Sequence, residues 1–144
     1  MATPKPESPY KGCLFFSANA LARLLTGLAE EAFRPIGLGP SHAFLLLTVN
    51  RQPGIQPKDI AAIMELTAST VTRLVEKMEQ QGYLRREATG RTTQVQPTDK
   101  SLALQPQLQA AWTTMFGKYS QLIGVEEARR LTQDSYRAAR ALME

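Results

Sequence analysis

Residues 67–86 read TASTVTRLVEKMEQQGYLRR, which is the pattern of an amphipathic helix followed by a basic strand. The apolar side chains recur at the i, i+3, i+4 and i+7 spacing of one helix face, and they are Val71, Leu74, Val75 and Met78. Thr67 is a residue type favoured at the N-cap, and Gly82 is typical of the position after a helix C-terminus. The stretch therefore predicts a helix that begins after Thr67 and ends near Gly82.

The other face of this helix carries short polar and basic side chains, namely Ser69, Thr70, Thr72, Arg73 and Lys77. The major groove of DNA admits an α-helix, and base edges there present a distinct code of donors and acceptors. Arg73 could pair bidentately with guanine or reach a phosphate. The helix alone leaves two interpretations open, a DNA-reading face and an ordinary solvated face.

A basic β-hairpin is predicted directly after the helix, from Tyr83 to Thr98, with its turn at Thr89-Gly90. It carries Arg85, Arg86 and, at the tip, Arg91. An arginine at the tip of such a hairpin can enter an adjacent minor groove, which favours DNA binding over a surface hairpin with ordinary charges.

Helices are predicted on both sides of this region. Before it, apolar periodicity and Pro/Gly breaks give Tyr10–Phe33, an almost wholly apolar Ser41–Arg51, and a short helix that begins around Gln56-Pro57. After it, Asp99–Ile123 follows Thr98 as N-cap, and Val125–Met143 completes the chain. The predicted fold class is mainly α with a small β-hairpin wing, a winged helix-turn-helix with N- and C-terminal dimerisation helices.

Residues 68–79 and 82–86 resemble the reader helix and first wing strand of the MarR family. The segment 89–91, with Val95 and residues 98–100, resembles that family's wing tip and the start of its next helix. Thr89 stands where the family usually has an aspartate that helps hold the wing, so a wing that is mobile without DNA is expected. The resemblance extends over the helix order from Tyr10 onward and implies a transcription regulator whose terminal helices form a dimer interface.

The predicted organisation is a mobile arm at residues 1–9, dimerisation helices at 10–35 and 99–144, and a winged helix-turn-helix DNA-binding region at 36–98. The terminal helices contain more large apolar residues than one small core requires, as expected of an obligate dimer. A C₂ dimer would place its two reader helices about 34 Å apart on a palindromic site.

The function expected from these features is sequence-specific binding of duplex DNA by a homodimeric repressor. The expected DNA contacts are Gln56, Ser69, Thr70, Thr72, Arg73, Lys77, Arg86 and Arg91. The alternative is a winged-helix module for protein contacts, or an antirepressor without DNA affinity.

An effector is expected to release the DNA, and two kinds fit the sequence. Cys13 follows Lys11 near the start of the first helix, as does the lone cysteine of MarR-family peroxide sensors, which makes an oxidant one choice. The tyrosine partners of those sensors align with Gly27 and Pro40, so Cys13 could equally be an ordinary small apolar residue. The other choice is a small aromatic ligand between the reader module and the dimer helices, near Phe16, His42 and Trp112.

Composition argues against other classes of protein. The chain has 144 residues, a single cysteine and a single histidine, which excludes an internal disulfide and argues against a zinc or haem centre. No apolar run approaches the roughly 20 residues of a membrane span, and neither a catalytic triad nor a glycine-rich phosphate loop is present. A cytoplasmic, non-enzymatic protein without cofactor or metal is expected. The net charge of +4 is compatible with nucleic acid and carries little weight alone.

Overall fold

The computed structural model describes residues 2–144, so Met1 of the expected N-terminal arm lies outside the described residues. The elements in chain order are α1 (Leu14–Phe33), a 3₁₀ turn (Arg34–Ile36), α2 (Pro40–Arg51), α3 (Pro57–Met64), α4 (Ala68–Gln80), β1 (Leu84–Thr89), β2 (Thr92–Pro97), α5 (Asp99–Ile123) and α6 (Val125–Met143). Strands β1 and β2 form an antiparallel hairpin. The predicted fold class, mainly helical with one hairpin wing, is confirmed.

The first helix begins later than its apolar pattern predicts, at Leu14 instead of Tyr10. The preceding residues form a turn in which the Cys13 N–H donates to the Tyr10 carbonyl at 2.9 Å. Gly12 has a low helix propensity, and Pro9 fixes its own φ and disfavours the α region for the residue before it. Cys13 is consequently the extended N-cap residue of α1 and lies just outside the helix.

The hairpin turn is shifted by one residue from its predicted position. Thr89 pairs with Thr92, which leaves Gly90 and Arg91 as the two loop residues. Gly90 has φ +64°, a left-handed conformation that two-residue hairpin loops commonly require at this position. The tip of the wing is therefore Gly90-Arg91.

The hydrophobic core lies around α2, which contributes Ala43, Leu45, Leu46 and Val49 as buried residues. Residues 42–50 of this helix are all buried or half-buried, as an almost wholly apolar composition predicts. Helices α3 and α4 and the hairpin pack on it, and α1 and α5 complete the core. The fully buried side chains from these five elements include Phe33, Ile60, Val71, Val75, Met78, Leu84, Val95, Ser101 and Leu108.

The terminal helices leave many large apolar side chains uncovered. In α6 only Ala128 is buried, and in α1 only Ala29 and Phe33 are. The exposed residues on α1, α5 and α6 include Leu14, Phe15, Leu24, Phe116, Leu122, Leu131 and Leu142. This is the surplus apolar surface that the sequence predicts for these helices.

Candidate nucleic-acid interface

Helix α4 is seated and capped as its sequence predicts. Val71, Val75 and Met78 are buried against the core, which turns the opposite face to solvent. At its N-terminus the Thr67 side chain accepts a hydrogen bond from the Thr70 N–H at 3.3 Å, the expected N-cap contact. Thr70 is half-buried, and its hydroxyl also lies 2.8 Å from the Thr67 Oγ1.

The C-terminus of α4 is closed by a Schellman motif and held by the next helix. The Tyr83 N–H donates to the Met78 carbonyl at 2.9 Å, and Gly82 adopts φ +83°. From the first turn of α5, the Lys100 ammonium donates to the Gln81 carbonyl at 2.7 Å and lies 4.2 Å from the Tyr83 ring centroid. Both ends of α4 are thus fixed by the fold.

The wing is attached to the rest of the domain through β2. Val95 forms both of its backbone hydrogen bonds with the segment before α3, accepting from the Gly54 N–H and donating to the Ile55 carbonyl, each at 2.9 Å. At the tip, the Thr92 hydroxyl donates to the Thr89 carbonyl at 2.8 Å. A threonine pair therefore closes the turn at the position where an aspartate is expected.

The expected DNA contacts fall on three consecutive elements. Ser69, Arg73 and Lys77 are exposed on α4, and Arg91 is exposed at the wing tip. Thr72 is also exposed, with its hydroxyl donating to the Ala68 carbonyl of the same helix. Gln56 is the half-buried N-cap residue of α3 and makes no side-chain capping bond.

Arg86 differs from the other expected contacts because α4 already engages its side chain. Its Nη2 lies 2.8 Å from Glu79 Oε1, and its Nη1 lies 3.7 Å from Glu76 Oε1. The pKa of Glu79 is lowered, mainly because its carboxylate accepts a hydrogen bond from the Arg86 backbone N–H. The hydrogen bonds from the Arg86 side chain lower it further. The sequence reasoning missed Glu79, and only its opposite charge to an arginine of the following strand could have indicated it.

The four expected effector residues have different surroundings. Cys13 is exposed, and Phe16 packs on Tyr10 with ring centroids 5.5 Å apart. Burial lowers the pKa of His42, and the positive charge of nearby Lys77 lowers it further, so the neutral form is favoured. Trp112 makes an edge contact with Phe44, at 6.0 Å between ring centroids.

Of these four residues, Trp112 lines a cleft of about 800 Å³ between α2 and α5. Its apolar lining residues are Phe44, Leu47, Ile63, Leu102 and Trp112, and its polar ones include Asn50, Arg51, Gln105 and Gln109. Asn50 bridges the two helices, since its Nδ2 donates to Gln105 Oε1 at 2.9 Å and its Oδ1 accepts from the buried Ser101 hydroxyl at 2.7 Å. The cleft thus lies between a core helix and a terminal helix.

Among residues 2–144, no helix is both long and apolar enough to cross a membrane. Within the same range, no group of three or more His, Cys, Asp or Glu side chains could hold a metal ion.

Comparison with known proteins gives the same fold. The model of the MarR family matches residues 36–92. CouR from Rhodococcus jostii, solved with p-coumaroyl-CoA, aligns with a TM-score of 0.76 at 20% identity, covering 92% of this chain and 95% of that one. Reduced AbfR bound to DNA aligns with a TM-score of 0.75 at 21% identity, covering 92% of this chain and 94% of that one. The MepR–DNA complex of S. aureus aligns with a TM-score of 0.77 at 14% identity, covering 89% of this chain and 97% of that one. No curated protein matches in sequence.

These identities are low, so the solved structures establish the fold alone, which is a winged helix-turn-helix with additional terminal helices. The family model covers α2, α3, α4 and β1. Over residues 36–92 the chain is therefore similar to the MarR family.

Proposed function

We propose that the chain binds duplex DNA sequence-specifically as a homodimer and represses transcription from an inverted-repeat operator. The observation that carries this proposal is the distribution of unpaired positive charge. Arg73, Lys77 and Arg91 form no ion pair with any acidic side chain among residues 2–144. The other arginines without an ion pair in this range, Arg23, Arg34 and Arg51, lie on three separate elements, and all four arginines of α6 are paired, namely Arg129, Arg130, Arg137 and Arg140. Free cations on α4 and the wing suit phosphates and guanine edges.

The proposed contacts divide by groove. Ser69, Arg73 and Lys77 face the major groove from α4, with Thr70, Thr72 and Gln56 contributing hydroxyl and amide groups at its edges. Arg91 enters the flanking minor groove from the wing tip. Arg86 contributes indirectly, because its side chain is paired with Glu79 and Glu76 of α4.

The homodimer is supported by the exposed apolar residues of α1, α5 and α6. Isologous pairing of these helices in a C₂ dimer would bury them and direct two α4 helices to half-sites about one DNA turn apart.

Selection from a randomised duplex library tests the proposed function. The protein should enrich an inverted repeat whose half-sites are separated by about one helical turn. Enrichment of no sequence would contradict a specific operator and favour the alternative, a winged-helix module for protein contacts or an antirepressor.

Arg91→Ala should weaken binding to most duplexes and make the dependence of log K on log salt shallower by about one unit per protomer, or about two for the dimer, as expected for lost phosphate-type contacts. The free energy of unfolding should change by no more than about 0.5 kcal/mol, because the tip is exposed. Fluorescence anisotropy at several salt concentrations and thermal unfolding measure the two effects. An unchanged slope would show that the wing tip does not contact DNA, and a large fall in melting temperature would show that Arg91 stabilises the fold.

The effector we propose is a small aromatic carboxylate in the cleft between α2 and α5. Phe44 and Trp112 offer apolar faces for its ring, and Arg51 forms no ion pair among residues 2–144 and could bind its carboxylate. Oxidation of the exposed Cys13 is the alternative trigger. Cys13→Ser separates them, since it would abolish a peroxide response and leave a ligand response intact.

Benzoate should change the fluorescence of Trp112, the one tryptophan of the chain, in a saturable manner. Arg51→Gln should weaken this binding by roughly tenfold, which is what a lost charge-assisted hydrogen bond costs. Arg34→Gln is the matched control, because Arg34 is exposed on the 3₁₀ turn and does not line the cleft. Equal effects of the two substitutions would contradict this binding mode.

A further inference from the structure

The outer edge of strand β1 is held by a carboxylate of the reader helix. Arg86 lies opposite Val95 in the hairpin register, and both backbone groups of Val95 are bonded to residues 54–55 on its other side. Directly opposed residues of antiparallel strands either exchange both hydrogen bonds or direct both groups away from each other. The Arg86 N–H therefore points away from β2, toward an edge that has no further strand.

Glu79 satisfies this edge and the arginine side chain together. Its Oε2 accepts from the Arg86 backbone N–H at 2.9 Å. Its Oε1 accepts from Arg86 Nε at 3.1 Å and from Nη2 at 2.8 Å. Both carboxylate oxygens are thus used, and the guanidinium engages in a side-on geometry that is more restrictive than a single ion pair.

The hairpin is consequently anchored along both edges. The β2 edge is joined to Ile55, and the β1 edge is joined to α4 through Glu79. The second anchor runs to the helix that carries Arg73, while Arg91 lies five residues beyond Arg86 at the wing tip. The contact between Glu79 and Arg86 thus joins the strand that leads to the wing tip directly to the reader helix.

We infer that Glu79 and Arg86 are positioning residues for DNA recognition, which fix the wing relative to α4 so that Arg91 and Arg73 reach adjacent grooves together. This inference rests on the proposed function. The pair is an exposed one, with 39% of the Arg86 side chain and 33% of the Glu79 side chain accessible, so it contributes little to global stability. Its effect lies in local geometry, and the lowered pKa of Glu79 agrees with a carboxylate that stays ionised in this contact.

Glu79→Gln separates positioning from simple electrostatics because the two predict opposite changes in the affinity for the selected duplex. Removal of a negative charge beside DNA would strengthen binding if only charge mattered. If Glu79 positions the wing, the variant should bind the selected duplex roughly fivefold more weakly, the upper range for an exposed pair. Binding to a random duplex should be unchanged or tighter, with the salt dependence preserved.

Glu87→Gln is the matched control. Glu87 lies on β1, next to Arg86, and pairs with Arg85 at 3.0 Å. Its substitution therefore also removes one negative charge, but it leaves the contact between Arg86 and α4 intact. It should bind the selected duplex at least as tightly as the wild type does. Equal or tighter binding of that duplex by Glu79→Gln, or equal losses on both duplexes, would overturn the inference.

Backbone NMR relaxation of the free protein tests the positioning role without DNA. The amides of Gly90 and Arg91 should become more mobile on the ps–ns timescale in Glu79→Gln and stay as in the wild type in Glu87→Gln. Unchanged mobility in Glu79→Gln would overturn the inference even where DNA binding is observed. A wild type that binds no duplex, together with a mobilised wing in Glu79→Gln, would refute the proposed function and leave the positioning contact standing.

Discussion

Replacing Arg73 by alanine is expected to weaken binding to the selected inverted repeat by about 1–3 kcal/mol, or roughly 5- to 140-fold, for each of its two half-sites. Arg73 is exposed on α4 and directed outward by the burial of Val71 and Val75 on the opposite face. A bidentate contact with guanine uses both the charge and the planar fork of the guanidinium, and alanine offers neither. The loss on a random duplex should be smaller, since such a duplex retains only phosphate contacts.

Arg129→Ala is the control for this experiment. Arg129 is an exposed arginine on α6 that pairs with Glu126 at 3.0 Å, so its removal also costs the protein one positive charge. Competition binding with labelled selected and random duplexes measures the ratio of affinities for each variant. Equal losses on the two duplexes for Arg73→Ala would assign its side chain to phosphate.

Replacing Ile60 by alanine should lower the free energy of unfolding by about 2–5 kcal/mol. Ile60 lies on α3 and is fully buried in the core beneath the helix-turn-helix. Truncation removes apolar contacts and leaves a cavity that neighbouring side chains fill only in part. Since α3 packs against α4, the same cavity should loosen the seat of the reader helix.

Ile63→Ala provides the same chemical change on the same helix, three residues further along. Ile63 is 57% exposed, so its truncation should alter the free energy of unfolding by no more than about 0.5 kcal/mol. Urea unfolding at one fixed protein concentration gives both values, because the stability of a dimer depends on concentration. Similar costs for the two substitutions would contradict the burial of α3 described above.

Local signals made most of the fold predictable from the sequence. Thr67 and Thr98 cap α4 and α5 through bonds to the N–H groups three residues on, and Gly82 takes the left-handed conformation expected of it. The start of α1 was predicted four residues too early, because the apolar pattern extends through a segment in which Gly12 forms a turn. Periodicity records which face is apolar, and the caps and turns decide where a helix begins.

The candidate site was predictable only where a residue acts alone. Arg73 and Arg91 follow from their positions on a helix face and at a hairpin tip. The contact between Glu79 and Arg86 spans a helix end and a strand, and no local signal links two residues that are seven positions apart. The cleft beside Trp112 combines α2 with α5, whose bridging residues Asn50 and Gln105 are 55 positions apart, so only the fold brings them together.

The salt dependence of duplex binding tests the central claim most directly, namely that this chain binds DNA as a dimer through α4 and the wing. We expect one dimer per selected duplex, with log K falling linearly as log salt rises. The slope should be close to −0.9 times the number of phosphates neutralised by both protomers, and it should become shallower in Arg91→Ala. Absence of salt-dependent binding to any duplex would contradict the claim and favour a winged-helix module that contacts proteins.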